Sequence, residues 1–382
     1  SLLAFMLKWT SNKKLIAMTN TSDLKPFKGL KVIELSAVLA GPLAGSFFAE
    51  GGAEVLKVEH PKYGDVTRSW RARSENSDSE ISAYYASANT GKTVIRKNLG
   101  NDEGKHWLEK ELASADVLLQ NFKASDLKKF DLEPESVAKK FPNLVHIRLV
   151  GFADAPTRLA YDVVVQAETG FMHMNGDEEG LPTRLPVALM DVLASDQIRT
   201  ATLSGLYLRE KGTTGYYSEV SLEKSGLSAL VNRATNYLMN GTEQNRTGSK
   251  HPNIAPYGDL LELNGGRHIV LAVGSDAQFS RLCSVLGTPE LIGDPRFESN
   301  PRRVENREAL MAELQKSAST IVDAENFLED LISAGVPAGM VRPLSEVFKE
   351  GSSASKYLVK EDGNRLILKP STVAYTTTIF NS

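Results

Sequence analysis

The chain has 382 residues, 41% of them apolar and 24% charged, and a formal net charge of -3. That is length enough for two domains with cores of their own, and the mild acidic balance argues against nucleic acid as the main partner. A single cysteine, Cys283, excludes a disulfide framework or a multi-thiolate metal site, and no apolar run nears the roughly 20 residues of a membrane helix. A cytoplasmic protein with neither membrane nor nucleic-acid partner is expected.

Residues 1–17 read as an N-terminal extension, an over-long start ahead of Met18. Lys31–Leu35 has the length of a buried strand, Ser36–Pro42 is a small-residue turn, Leu43–Glu50 has helical composition, and Glu54–Glu59 alternates like a second strand. Strand, turn, helix and strand within about thirty residues make a right-handed βαβ unit, which aims a helix N-terminus at whatever lies above the strand ends. Glu59 stands where a dinucleotide fold would hold a ribose, but the G-x-G-x-x-G fingerprint is missing; the turn offers only Gly41 and Gly45. An ordinary NAD site is therefore not expected.

A polar loop with GDVTRSW follows, then a strand at Thr93–Arg96, a helix over Asp102–Ala113, a strand at Asp116–Leu119, a helix through Glu133–Lys140 and a strand at Val145–Val150. This alternation predicts an α/β, Rossmann-like large domain with a mostly parallel sheet. Helices are expected at Val163–Met174, Val192–Lys211 and Glu223–Asn240, the last two separated by a turn and strand in GTTGYYSEVSL. The polar stretch 241–266 reads as a linker or long loop, and 255–339 as a smaller α+β domain. The division expected is 1–17, a large domain over 18–222 completed by 340–382, a linker helix and loop over 223–254, and the small domain over 255–339.

The six histidines are scattered, and no H-E-x-x-H, G-x-S-x-G or G-x-x-x-x-G-K-[ST] pattern occurs, so metal, serine-hydrolase and P-loop chemistry have no motif to stand on. Asp191 lies between two apolar stretches at the head of a long helix. Two readings stay open there: a helix cap, or a carboxylate nucleophile in an apolar site. Asp162 poses the same choice, and a cap is the reading favoured. Lys92, Lys123, Lys128 and Lys129 follow strands or lie in NFKASDLKKF, as solvated charge or as partners of a phosphate.

Taken in order, FKGLKVIELS, AGPLAG, GAEVLKVEHPKYGDVTRSW, NTGKTVI, ADVLLQNF, AYDVVVQAETG, KHPNIAPYG, DPRFESNPRRVENR and AGVPAG resemble the class III CoA-transferases of the CaiB/BaiF type. That group includes formyl-CoA:oxalate and acetyl-CoA:oxalate transferases and the α-methylacyl-CoA racemases. The resemblance runs from about Phe27 to Val347. It implies an interlocked homodimer, no permanently bound cofactor, and a coenzyme A thioester and a small carboxylic acid as substrates. It places the family's nucleophile on Asp191, the thioester pocket on Val38, Leu39 and Ala40, and the CoA nucleotide around His60, Asn121, Phe122 and Lys129, with Arg68 and Lys92 as phosphate partners. For Arg68 a structural salt bridge is the competing reading. Tyr161 occupies the position of the racemases' α-proton base, a task for which a phenol is poorly suited. CoA transfer is thus the first expectation; a racemase or epimerase and a catalytically idle CoA-binding homologue are the alternatives. Where relatives carry a glycine pair after the nucleophile, this chain has Ala194-Ser195, and the N-F-R-P-G turn is NFKASD.

Overall fold

A computed structural model describes residues 18–19, 25–76, 79–361, 365–368 and 379–380. The expected extension over residues 1–17 lies outside them. The chain divides into two units: one takes residues up to Thr169, Pro186–Ala234 and those from Tyr357 on; the other takes Gly170–Leu185 and Thr235–Lys356. Residues 170–185 thus leave the large unit, and the return comes at Tyr357 rather than at 340, because Ala338–Met340 belongs to the small unit's sheet.

In the large unit the strands are β1 (Lys31–Leu35), β2 (Glu54–Glu59), β3 (Thr93–Arg96), β4 (Val117–Gln120), β5 (Val145–Val150) and β6 (Tyr217–Ser221). They pair in parallel in the order β3-β2-β1-β4-β5-β6. Ile33, Leu118 and Ile147 lie in the buried middle of this sheet, as expected for strands covered by helices on both faces. The helices are α1 (Ala40–Glu50), α2 (Ala83–Asn89), α3 (Asp102–Leu112), α4 (Ala124–Lys129), α5 (Pro134–Lys140), α6 (Asp162–Glu168), α7 (Leu189–Glu210) and α8 (Leu222–Ala229). The strand order reverses between β1 and β4, and a sheet of this kind opens a crevice at that point, above its strand ends.

Some elements differ from the sequence reading for local reasons. The first helix begins at Ala40, so Gly41 and Pro42 fall in its first turn, where a missing proline N–H costs nothing. The span expected as one helix over Val163–Met174 breaks at Gly170, whose φ of +86° ends α6. Glu223–Asn240 splits likewise at Val231, which has φ +41° and opens α9 (Val231–Asn240).

The small unit holds an antiparallel sheet of β7 (Tyr257–Glu262), β8 (His268–Ala272) and β9 (Ala338–Met340), with β8 central. Its core packs Leu261, Ile269, Leu271, Phe279, Phe297 and Leu310. Two arginines of DPRFESNPRRVENR explain that motif. Arg303 is fully buried and donates to the Ala255 and Phe297 carbonyls and to Asp276, while Arg307 forks onto Asp259 and donates to the His251 and Ile254 carbonyls. Together they tie the KHPNIAPYG loop to the unit.

Candidate active site

Charged residues in the middle of a buried parallel strand need partners, and β1 and β2 each carry one. Glu34 and Lys57 lie opposite each other in the sheet register, 3.0 Å apart at their side-chain ends. Lys57 also meets Asp65 at 3.1 Å, and Lys92 meets Glu34 at 2.7 Å, so two acids and two amines close a neutral buried cluster. Burial pulls the Lys92 ammonium down to about 8, against the pull of Glu34. This cluster explains the two glycines of AGPLAG. A Cβ on Gly45 would stand 1.9 Å from the Glu34 carboxylate, and one on Gly41 would stand 2.4 Å from the Ser36 hydroxyl. Both serve close packing under α1, where a nucleotide fingerprint would use glycines to approach a ligand.

The cluster grips the loop above it. Lys57 donates to the Ser36 carbonyl at 2.8 Å, and Asp65 accepts from the Val38 N–H at 3.4 Å. Asn121 clamps Ala37 from both sides, accepting its N–H at 3.2 Å and donating to its carbonyl at 3.0 Å. So held, Val38 adopts φ +77°, a conformation that costs a β-branched residue on the order of 1–3 kcal/mol. The strained turn leads into α1, which packs against α7, and the Ala40 N–H at its start favours the ionised form of the Asp191 carboxylate.

Asp191 is 8% exposed and sits in the third position of α7. It is not the helix cap; Ala188 flanks the helix and has no side-chain acceptor to offer. The cap comes from Asp162. That residue does not cap the helix it opens, because Tyr161 holds the extended backbone there; its Oδ1 instead accepts the Met190 N–H at 2.7 Å. Its Oδ2 takes a hydrogen bond from the buried Gln166 amide at 2.6 Å. Burial first, and the Asp162 charge second, push the Asp191 carboxyl up to about 7, against the Ala40 N–H. The nearby Tyr84 phenol, on α2, is pushed up to about 12 by burial and by Asp191, Asp162 and Asp65, and so keeps its proton. Sequence reasoning did not find Tyr84, nor the work of Asp162 on a second helix, since both depend on segments brought together from far along the chain. The buried cluster did have a signal: single charges at Glu34 and Lys57 inside otherwise apolar strands.

A crevice of about 310 Å³ opens at the strand ends, as the reversal of strand order requires. Residues directly following four strands line it: Ser36 and Ala37 after β1, His60 after β2, Lys97 after β3, and Asn121 and Phe122 after β4, with Lys129 and Phe130 closing one side. His60, Asn121, Phe122 and Lys129 are therefore gathered in one place. The His60 Nδ1 accepts the N–H groups of Lys62 and Tyr63, so a neutral ring carries its proton on Nε2. Lys129 puts an ammonium group on the rim, whereas the Lys97 ammonium is held by Glu103 at 2.6 Å.

Two expected phosphate partners are not available there. Lys92 is sealed in the buried cluster, donating also to the Pro42 and Ala88 carbonyls. Arg68 makes the competing salt bridge, forking onto Glu59 at 2.8 and 3.0 Å while Tyr85 donates to the same carboxylate at 2.7 Å. Burial would raise the Glu59 carboxyl, but Arg68 and Tyr85 hold it below the usual range. Tyr161 is an exposed residue at the start of α6. Among the described residues no group of three or more His, Cys, Asp or Glu side chains could hold a metal ion, and no helix is long and apolar enough to cross a membrane.

Residues 27–374 match the family described as CoA-transferase family III. The chain is 34% identical to a succinate–glutarate CoA-transferase of Agrobacterium fabrum, over 87% of this chain and 84% of that one. It is 33% identical to an acetyl-CoA:oxalate CoA-transferase of Acetobacter aceti, over 91% and 89% of the two chains. The crystal structure of a CaiB/BaiF family protein from Brucella suis superposes with a TM-score of 0.79 at 33% identity, covering 91% of this chain and 92% of that one.

Proposed function

Since the chain belongs to CoA-transferase family III, we propose that it moves CoA from an acyl-CoA to a carboxylic acid with Asp191 as the nucleophile. The observation that carries this reading is the burial of the Asp191 carboxylate on α7, the helix against which the start of α1 packs. A poorly solvated carboxylate is a stronger nucleophile once ionised, and a fixed N–H at a helix N-terminus can hold the charge that grows on an attacked carbonyl oxygen. Asp191 attacks the thioester carbon; the C–O bond forms, the C–S bond breaks, and a mixed anhydride and CoA thiolate result. The thiolate then attacks the Asp191 carbonyl, giving an aspartyl-CoA thioester and the donor acid. An acceptor carboxylate runs the sequence in reverse. Every intermediate is hydrolysable, which suits a carboxylate only 8% exposed.

The crevice supports binding of the CoA nucleotide: His60, Asn121, Phe122 and Lys129 line it, and Lys129 supplies charge for a phosphate. Asn121 would act there through the backbone it holds. Val38, Leu39 and Ala40 lie where the reacting thioester would rest. Relatives named for succinate, glutarate and oxalate support a short dicarboxylic acid as the exchanged acid. An intertwined homodimer accords with the apolar side chains left exposed on two helices: Leu203, Tyr207 and Leu208 on α7, and Leu238 and Met239 on α9. Exchange between labelled acids and acyl-CoAs, followed in Asp191→Ala and Asp191→Asn, tests the mechanism. Loss of exchange is expected; exchange retained by Asp191→Ala overturns it. Hydroxylamine added with acyl-CoA is expected to leave a hydroxamate at Asp191, which a merely CoA-binding protein would not give.

A further inference from the structure

Asp162 is joined to the proposed nucleophile by the backbone: its Oδ1 is 2.7 Å from the N–H of Met190, the residue before Asp191. Its Oδ2 is fixed by Gln166, itself 0% exposed, so the carboxylate has little freedom to turn. The helix that carries Asp191 has no capping side chain at its own start. One charge from α6 thus does two things at once: it meets the backbone N–H in the first turn of α7, and it acts on the carboxylate of the very next residue. We propose that Asp162 is a positioning residue whose fixed charge steers the breakdown of the mixed anhydride toward the aspartyl-CoA thioester. This rests on the reading of Asp191 as nucleophile.

The anhydride R–CO–O–CO–Asp191 offers the CoA thiolate two carbons. Attack at the Asp191 carbon forms the aspartyl C–S bond, breaks the C–O bond to the substrate's carboxyl oxygen and releases R–COO⁻. Attack at the acyl carbon forms acyl-CoA again and returns the electron pair to the Asp191 carboxylate. No proton moves on either path. The second path places a new negative charge next to Asp162, and the first sends it away with the acid. The more basic carboxylate is the poorer leaving group, so the Asp162 charge disfavours the return to acyl-CoA. The groups that act on Asp191 are Asp162 from α6 and the Ala40 N–H from α1, while the Tyr84 phenol from α2 keeps its proton beside it; α8, β5 and β6, which also pack on α7, add no charge that shifts it among the described residues.

The test uses the full-length protein with Asp162→Asn, Asp162→Glu and Asp191→Ala. The Asn variant keeps an acceptor for Met190 and removes the charge, with the Gln166 amide turned so that its oxygen meets the new Nδ2; the Glu variant restores the charge. With succinyl-CoA and succinate at fixed ratio, hydroxylamine trapping reads the fraction of enzyme held as aspartyl-CoA. That fraction is expected to fall about threefold in Asp162→Asn, a modest Brønsted response to about one pKa unit, and to recover in Asp162→Glu. A second readout needs no substrate: the pH midpoint at which D191N begins to differ in stability from its parent. It is expected to drop by about one unit when both members of the pair carry Asp162→Asn. An unchanged trapped fraction or an unmoved midpoint overturns the proposal; where succinyl-CoA leaves no trapped wild-type enzyme, the midpoint decides. Exchange or trapping that persists in Asp191→Ala would instead remove the nucleophile reading itself, a separable result.

Discussion

Asp191→Asn is expected to make the protein more stable in alkali while leaving it unable to transfer CoA. In the fold the Asp191 carboxyl titrates near 7, against 3.8 ordinarily, a rise of about three units. At 1.36 kcal/mol per unit, keeping the group charged inside the fold costs on the order of 4 kcal/mol, less whatever local relaxation recovers. Between pH 3.8 and 7 the folded protein holds a proton that the unfolded chain has released, so this group's contribution to stability falls across that window and reaches its full cost above pH 7. Asparagine has nearly the same shape and carries no charge. Urea unfolding of both proteins between pH 4 and pH 8 isolates the effect, since every other titration is shared. The variant is expected to match the wild type near pH 4 and exceed it by on the order of 2–4 kcal/mol at pH 8. A difference that does not change with pH, or a wild type more stable at pH 8, would refute the claim that Asp191 is held in a desolvating site.

Gly45→Ala forces a Cβ to within 1.9 Å of the Glu34 carboxylate; breaking the buried charge cluster is expected to cost about 3–5 kcal/mol, read as a lower urea midpoint. Lys129→Ala removes an ammonium from the crevice rim and is expected to raise KM for acyl-CoA about tenfold with kcat kept; an unchanged KM would place the nucleotide elsewhere. Ser195 is wholly buried, and its hydroxyl has no hydrogen-bond partner among the described residues, so Ser195→Ala is expected to gain about 1 kcal/mol of stability with exchange unchanged. A tenfold loss of exchange there would show that the hydroxyl takes part in the reaction.

The strands of the large sheet were legible because parallel strands buried on both faces are short apolar runs, and Lys31–Leu35, Glu54–Glu59 and Val145–Val150 stand at their expected bounds. Helix starts were harder. The helix of Asp191 begins at Leu189, not Val192, since its first N–H groups are met by a carboxylate 28 residues upstream, which no local pattern reveals. The crevice residues were legible as a set, each standing just past a strand. The two mistaken phosphate partners show the limit of that reasoning: Lys92 and Arg68 are basic residues near strand ends, and only packing reveals that Glu34 and Glu59 already hold them. Glu59, which stands at the position of a ribose acid, is instead the anchor of the GDVTRSW turn.

The packing of α1 against the helix of Asp191 also bears on which molecules this sheet refuses. Open parallel sheets of this strand order commonly bind dinucleotides by laying a pyrophosphate against the first helix end. Here that helix end already faces a carboxylate from the same chain. Whenever Asp191 is ionised, a phosphate approaching α1 meets a like charge in a site with little water to screen it. The residue proposed to carry the chemistry thus disfavours a pyrophosphate at this helix end, whereas a ligand that keeps its phosphates beside Lys129 and brings a thioester toward Asp191 meets no such charge conflict.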